Sequence, residues 1–353
     1  MSVARLLLRI LVALFVAGAL PALAQLPDAQ PDPLARIREA ANGNVQACSA
    51  TGETLCEQVA PKIIANAQGD SPLPENVRRL TEVLNSHTAD LAEASAAVAL
   101  AVEALRAAGL EPNAENYANS DAGPRDASRQ AENVVAEIRG REKPDEWVLL
   151  GAHLGRPEPG ATAFDDACNA ALLIEAARDI QRTGVRPRRS IRFVLFGGDY
   201  RSPAGSRAYV KAHHDELDRA RTIVFFDAMG NASRDIEPSV REALKRIELS
   251  GAGNDVSDTP IELDSIEFLS EGVPAIIAAK ATDLNAHRTA SNSLDEDAVK
   301  ELKRNAAIMG VIAFDIAERA VPLAPRRSLA EIESLLKTSG LNGQMKMWEL
   351  DHH

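Results

Sequence analysis

His153, Asp165, Asp166, Asp199 and Asp227 are the residues of this sequence whose types and spacing could do chemistry. Three of them mark the ends of apolar runs: WVLLGAHLG carries His153, SIRFVLFGGDY ends in Asp199 and Tyr200, and TIVFFDAMG carries Asp227. Asp165 and Asp166 open the amphipathic stretch FDDACNAALLIEAARDI. In an open α/β sheet ligands bind outside the carboxyl ends of the strands, so polar residues at successive exits share one crevice. One imidazole and several carboxylates there form the donor set of a divalent metal such as zinc. Singly, each residue also has a plainer role. His153 suits a hydrogen-bonded histidine at a strand end, Asp165 or Asp166 a helix N-cap, Asp199 an Asx-turn and Asp227 a solvated loop acid. Spacing alone leaves both readings open.

The elements that must position these residues alternate in type. Apolar or alternating runs predict strands over residues 110–117, 133–140, 147–152, 191–196, 222–226 and 275–279. Helical periodicity predicts helices over 75–84, 90–108, 166–183, 203–216, 237–247 and 294–320, with a weaker pattern over 34–68 and a polar loop over 118–130. Such alternation predicts an α/β fold, a mostly parallel sheet with helices on both faces. The chain divides into a leader at 1–24, an N-terminal helical extension at 25–69, the α/β domain at 70–322, and a C-terminal helix (329–338) and tail at 323–353.

Composition narrows the partners. A net charge of −12 is the wrong sign for a phosphate backbone, which excludes nucleic acid as the expected ligand. At the N-terminus, Arg5 and Arg9 lead into an apolar run from Ile10 to Leu20, and Ala22-Leu23-Ala24 precedes Gln25. That is the pattern of a cleavable secretory signal, too short and too interrupted by Pro21 for a membrane span. The mature chain is therefore expected in a bacterial periplasm or outside the cell, with no stable membrane span. Export permits a disulfide between Cys48 and Cys56, which bracket the polar loop SATGETL, and leaves Cys168 as a buried free thiol. No G-x-S-x-G nucleophile elbow is present, and Gly197-Gly198 lacks the spacing of a dinucleotide fingerprint. His213-His214 is expected on a surface helix and His352-His353 in a frayed terminus.

The segments NVVAEIRG, VLLGAHL, GATAFDDA, AARDI, RRSIRFVLFGG, GSRAYV, GVPA and LKRNAAIMG, in that order between Asn133 and Arg319, carry a resemblance. Over this stretch the sequence resembles the dinuclear zinc aminopeptidases, the family that includes bacterial leucyl aminopeptidase and carboxypeptidase Q. The resemblance implies a zinc-exopeptidase-like fold. It places His153, Asp165 (as the bridging carboxylate) and Asp227 as ligands of one metal position. At the other position it puts Tyr200 and Arg288 where the family has a Glu and a His, a degenerate pair. Asp199 stands for the general-base Glu, and Gly155 for the carboxylate that orients the first histidine. A one-residue shift would instead give the last ligand role to His287. The implied protein is an exported metallopeptidase relative holding at most one zinc per chain, its peptidase activity impaired or lost. The alternatives are an active mononuclear zinc exopeptidase or amide hydrolase, and a non-catalytic peptide- or protein-binding module. Its partner is a peptide or small amide; the sequence specifies no oligomer.

Overall fold

Along the run that ends at His153, apolar side chains alternate between two rows, and the chain folds so that both rows are covered. The computed structural model describes residues 54–85, 91–118, 130–156, 163–199, 203–227, 263–279, 294–322 and 325–334 apart from 329 and 333. Six strands, β1 (Asn113–Ala118), β2 (Gln130–Ile138), β3 (Lys143–Arg156), β4 (Arg189–Asp199), β5 (Ala220–Asp227) and β6 (Ala275–Ala279), form one sheet in the order β1-β2-β4-β3-β5-β6. β4, β3, β5 and β6 are mutually parallel, whereas β1–β2 and β2–β4 are antiparallel pairs. The helices are α1 (Thr54–Gln68), α2 (Leu73–Leu84), α3 (Leu91–Ala107), α4 (Phe164–Arg182), α5 (Ala204–Ala212), α6 (Leu263–Ser270) and α7 (Glu296–Glu318). This is the expected mostly parallel α/β architecture, with helices on both faces.

Strand alternation explains the two cores. Val148, Leu150, Ile191, Phe193, Leu195 and Val224 face the layer built from α1 to α4 and α7. Trp147, Leu149, Val194, Phe196, Ile223 and Phe225 face the other way, onto Tyr209 and Val210 of α5 and Phe268 of α6. Period 2 on a strand sends neighbours to opposite faces, so a run apolar at every position is buried on both. In α3 the buried residues Ala97, Val98, Ala101 and Leu105 recur at helical spacing, and their small size lets the helix lie close to the sheet. Gly109, at φ +87°, ends α3 in a Schellman turn: its N–H donates to Arg106 O and that of Leu110 to Leu105 O. Helix α1 falls in the segment set apart by sequence as an extension, yet Val59, Ala60 and Ile63 share the core of the sheet. Its contact with α7 is tight, since a Cβ on Gly310 would lie 2.8 Å from Ile63 Cγ2.

Several expected boundaries move. β3 runs beyond 147–152 to Lys143 and Arg156, with irregular pairing between Lys143 and Trp147. The helix expected over 203–216 divides at His213, giving α5 and a separate 3-10 segment, His214–Arg219. Helix α6 has no counterpart in the sequence reading, because eight residues are too few for apolar periodicity to register. The helix expected over 237–247 lies outside the described residues. Of the one expected over 329–338, the described residues 330–332 and 334 are helical, opened by a capping box in which Glu331 Oε2 accepts from Ser328 N at 2.8 Å. Among the described residues no helix is long and apolar enough to cross a membrane.

Candidate functional site

The path of the chain around β3 creates the crevice. From β3 it passes through α4 to β4 on one side, then through α5 to β5 on the other, the two helices packing on opposite faces. The strand order thus reverses about β3, and such a switch point opens a crevice at the carboxyl ends. His153 lies in β3 opposite Phe196 of β4. On the other flank Gly151 pairs with Phe225, which brings the end of β5 at Asp227 level with His153. Asp199 is the last residue of β4, paired with Arg156, and Asp165 is the second residue of α4. The backbones of all four candidates therefore meet at one edge of the sheet. The side chains of Asp165, Asp199 and Asp227 lie outside the described parts of the molecule, as do Tyr200, His287, Arg288, Cys48 and the side chain of Cys56.

The capping role left open for Asp165 or Asp166 falls to neither. Ala163 is the N-cap of α4 with no side-chain cap, and its N–H donates to Asn85 Oδ1 at 3.0 Å. Both acids instead sit in the first turn, where the positive end of the helix dipole favours a carboxylate. Cys168, a turn below, is buried as expected.

His153 shows how this crevice differs from one with a His-x-Asp pair. Its ring lies along the strand over Gly155, so that a Cβ built at position 155 would fall 2.2 Å from His153 Nε2 and 2.1 Å from Gly198 O. The imidazole thus fills the room from which an orienting carboxylate would grow. Such carboxylates fix the tautomer and angle of a ligating histidine, and without one the ligand is weaker.

The β4 exit is held by residues that the sequence reading passed over. Asn133, buried at the start of the NVVAEIRG run, accepts from Gly197 N at 3.1 Å through Oδ1 and donates to Gly205 O at 2.8 Å through Nδ2. Tyr117 Oη donates to Gly197 O at 2.7 Å from the edge strand. These bonds work only because glycines let backbones approach: a Cβ at Gly197 would stand 2.2 Å from Glu132 O, and one at Gly205 2.4 Å from Gly197 O. Gly198 follows at φ +129°, a conformation side chains resist. The glycine pair dismissed as a nucleotide motif is a close-packing device that aims the segment carrying Asp199. The signal was a polar Asn inside an apolar strand, readable as a buried amide with both ends used.

His213, expected on a surface helix, is half-buried at the end of α5. Its Nε2 lies 3.1 Å from Glu115 Oε2, and its ring packs on Tyr209 at a centroid distance of 4.2 Å. The bond to Glu115 raises its pKa above the ordinary histidine value.

By residue type and backbone placement His153, Asp165 and Asp227 are of the kind that holds zinc, since an imidazole and two carboxylates come from three adjacent ends of the fold; among the described residues no group of three such side chains is gathered. His153 is the one donor of the three whose side chain is described, and Gly155 leaves it without an orienting carboxylate at that position.

Residues 133–311, slightly more than half of the chain, match the model of peptidase family M28. The chain belongs to that family, and the zinc-exopeptidase-like resemblance of the sequence stands. Rat (Rattus norvegicus) carboxypeptidase Q is 25% identical over 201 residues, which cover 53% of this chain and 41% of the relative. The chain thus spans less than half the length of that relative. Among solved structures, a peptidase M28 precursor from Shewanella amazonensis SB2B superposes with a TM-score of 0.59 at 16% identity, covering 78% of this chain and all of that one. A glutaminyl cyclase from Fimbriiglobus ruber gives 0.50 at 16% identity, covering 70% and 94%. At these identities the likeness is one of fold, and proteins of differently named activities share it.

Proposed function

We propose that the chain is an exported M28-family protein whose crevice holds at most one zinc ion and binds a peptide or small amide while hydrolysing it slowly or not at all. The observation that carries this reading is the His153 ring filling the space above Gly155, where an orienting carboxylate is missing. His153, Asp165 and Asp227 would hold the ion. When bound, zinc polarises a carbonyl and activates a water for amide hydrolysis. The rest falls to the chain's own side chains. Asp199 would take the proton from that water, but it is one methylene shorter than the family's glutamate, and general-base catalysis tolerates such a retreat poorly. Tyr200 and Arg288 occupy the second metal position in the family alignment. A guanidinium there brings a fixed positive charge that pairs with carboxylates without lowering the pKa of a water as coordination does. The peptide carbonyl would still meet positive charge, so binding outlasts turnover.

Metal analysis of the purified mature protein together with an aminopeptidase assay tests the reading. One zinc or fewer per chain and feeble turnover are expected, and both should rise when Tyr200→Glu, Arg288→His and Asp199→Glu are combined. Two tightly bound zincs with brisk turnover in the unaltered protein would overturn it, with His287 the first residue to examine. One zinc with brisk turnover would favour the mononuclear hydrolase. The export component is checked separately: a mature terminus at Gln25 and a Cys48–Cys56 bond leave Cys168 as the single free thiol.

A further inference from the structure

Helix α4 carries a second acidic pair, remote in sequence from its crevice end. Glu175 and Asp179 are one turn apart and both are 0% exposed, beneath the α1–α2 connection and against α7. Ser71 Oγ donates to Glu175 Oε1 at 2.5 Å. Arg178 Nη1 donates to Glu175 Oε1 at 2.7 Å and to Asp179 Oδ1 at 3.2 Å, while its Nη2 donates to Asp70 O at 2.8 Å. Lys303 of α7 donates to Gly69 O at 2.5 Å, so its ammonium closes the loop rather than capping a carboxylate. The remaining oxygens, Glu175 Oε2 and Asp179 Oδ2, are sealed from solvent with no hydrogen-bond partner among the described residues. Two buried carboxylates thus share one guanidinium nitrogen, and one acceptor on each is left over. Two neighbouring anions in that state repel each other and lack solvation; one proton removes a charge and supplies the missing donor.

We infer that Glu175 and Asp179 form a proton-binding site, in which one proton is shared between the two carboxyls at neutral pH and its loss loosens α1 and α2 from α4. The charged groups facing the pair are Arg178 and Arg182 on α4 itself and Lys303 on α7, while the loop presents Ser71 and the carbonyl of Asp70. Helix α1 presents the neutral Asn66, whose Nδ2 donates to Asp179 O at 3.0 Å. Burial first, and then the charge of Glu175, pushes the Asp179 carboxyl up to about 8, and burial also raises Glu175. An unfolded Asp titrates near 3.9. Between those values the folded chain binds the extra proton, so stability is greatest at the acid end and falls as pH rises toward about 8.

The test is equilibrium unfolding of the full mature chain from about pH 5 to about pH 9, for the unaltered protein and for Asp179→Asn, with amide exchange followed on α1 and α2. The unaltered protein should gain up to about tenfold in its unfolding constant per pH unit on approaching the upper titration. Asp179→Asn should lose that component and be the more stable form at the alkaline end, and its α1 and α2 amides should lose the pH-dependent deprotection. Equal slopes in the two proteins would overturn the proposal. So would stabilisation by added sodium, potassium or calcium in the unaltered protein alone, which would make the pair a cation site. Should the variant not fold, the infrared band of a protonated carboxyl in the unaltered protein decides. Its presence at neutral pH and loss at the alkaline end supports the site, and its absence refutes it.

Discussion

The two edges of the sheet are built in opposite ways. At the amino-terminal edge charge is dense and paired. Glu318, at the end of α7 and 1% exposed, accepts from Arg141 Nη1 and Nη2 at 2.5 Å each and from Arg188 N at 2.8 Å. Arg189, equally buried, donates to Glu146 at 2.7 Å and to the carbonyls of Arg319 and Ala320, and Arg221 adds a second partner to Glu146 at 3.1 Å. Burial opposes the ionised form of Glu146, yet the two arginines hold its carboxyl down at about 2. Among the described residues of the carboxyl-terminal edge, Gly155 lies beneath the His153 ring and against Gly198 O, and Gly197 lies against Glu132 O. The first edge is what a sheet and its last helix need to stay joined. The second is a crevice edge at which backbones approach closely and position 155 carries no side chain. Fold and site answer to different demands, and one can be complete while the other is reduced.

If the edges are separable, breaking the first should be felt in stability alone. Glu318→Ala removes three hydrogen bonds to a buried carboxylate, two from Arg141 and one from Arg188 N; Arg141 is part exposed and keeps Glu142 and the Arg186 carbonyl, so the cost is about 3 kcal/mol. Denaturant unfolding should show that loss, while zinc stoichiometry measured well below the transition stays unchanged. A parallel loss of zinc would mean that the two edges are coupled.

At the crevice edge the largest effect is expected from Asn133→Ala. It strands the buried Gly197 N and removes the side-chain donor to Gly205 O, which keeps its place in the α5 ladder, for a loss of about 1–3 kcal/mol. Unlike Glu318→Ala it should also alter the crevice, read as a change in zinc affinity or in peptide binding. Gly155→Asp sharpens the comparison from the other side. The family residue is restored there, but its Cβ would stand 2.1 Å from Gly198 O, and overpacking against backbone costs about 1–3 kcal/mol. The single change should destabilise the protein without raising its zinc content. Increased zinc binding at undiminished stability would show that the His153 ring yields readily.

How much of this was legible in the sequence follows from which forces act locally. Apolar runs at 147–152, 191–196 and 222–226 announce buried strands because period and composition are properties of the run itself, and the strands stand where expected. His153 was legible as part of the β3 run, although the strand continues past it to Arg156. The Asn133–Gly197–Gly205 clamp was not, because its partners lie 64 and 72 positions away and glycine carries no pattern of its own. Nor was the break at His213. The residues from 203 to 216 keep helical periodicity, and at the division His213 meets Glu115, 98 positions away on the edge strand. Nor was the acidic pair on α4, because what buries Glu175 and Asp179 is α1 and α7, which come from distant parts of the chain.

The smallest effect expected is at that same Glu115, and it discriminates between the two faces of the sheet. His213 Nε2 lies 3.2 and 3.1 Å from the two Glu115 oxygens, and Nδ1 lies 3.6 Å from Glu216. The hydrogen bond to Glu115 is the largest cause of its raised pKa; burial and the charge of Arg192 oppose it, and Glu216 adds to it. A raised histidine contributes stability that is fully present below the unfolded value of about 6.5 and is lost as pH rises through the folded value. The pair is partly exposed, so the contribution is about 1 kcal/mol or less. Glu115→Gln should therefore flatten the fall in stability just above pH 6.5 or so, leaving the stability at more alkaline pH nearly unchanged. The proposed proton site on α4 titrates over an overlapping range, but it belongs to the opposite helical layer and shares none of these partners. The two contributions should then add within about 0.5 kcal/mol when Glu115→Gln and Asp179→Asn are combined. A larger departure from additivity would show that the faces communicate through the sheet between them.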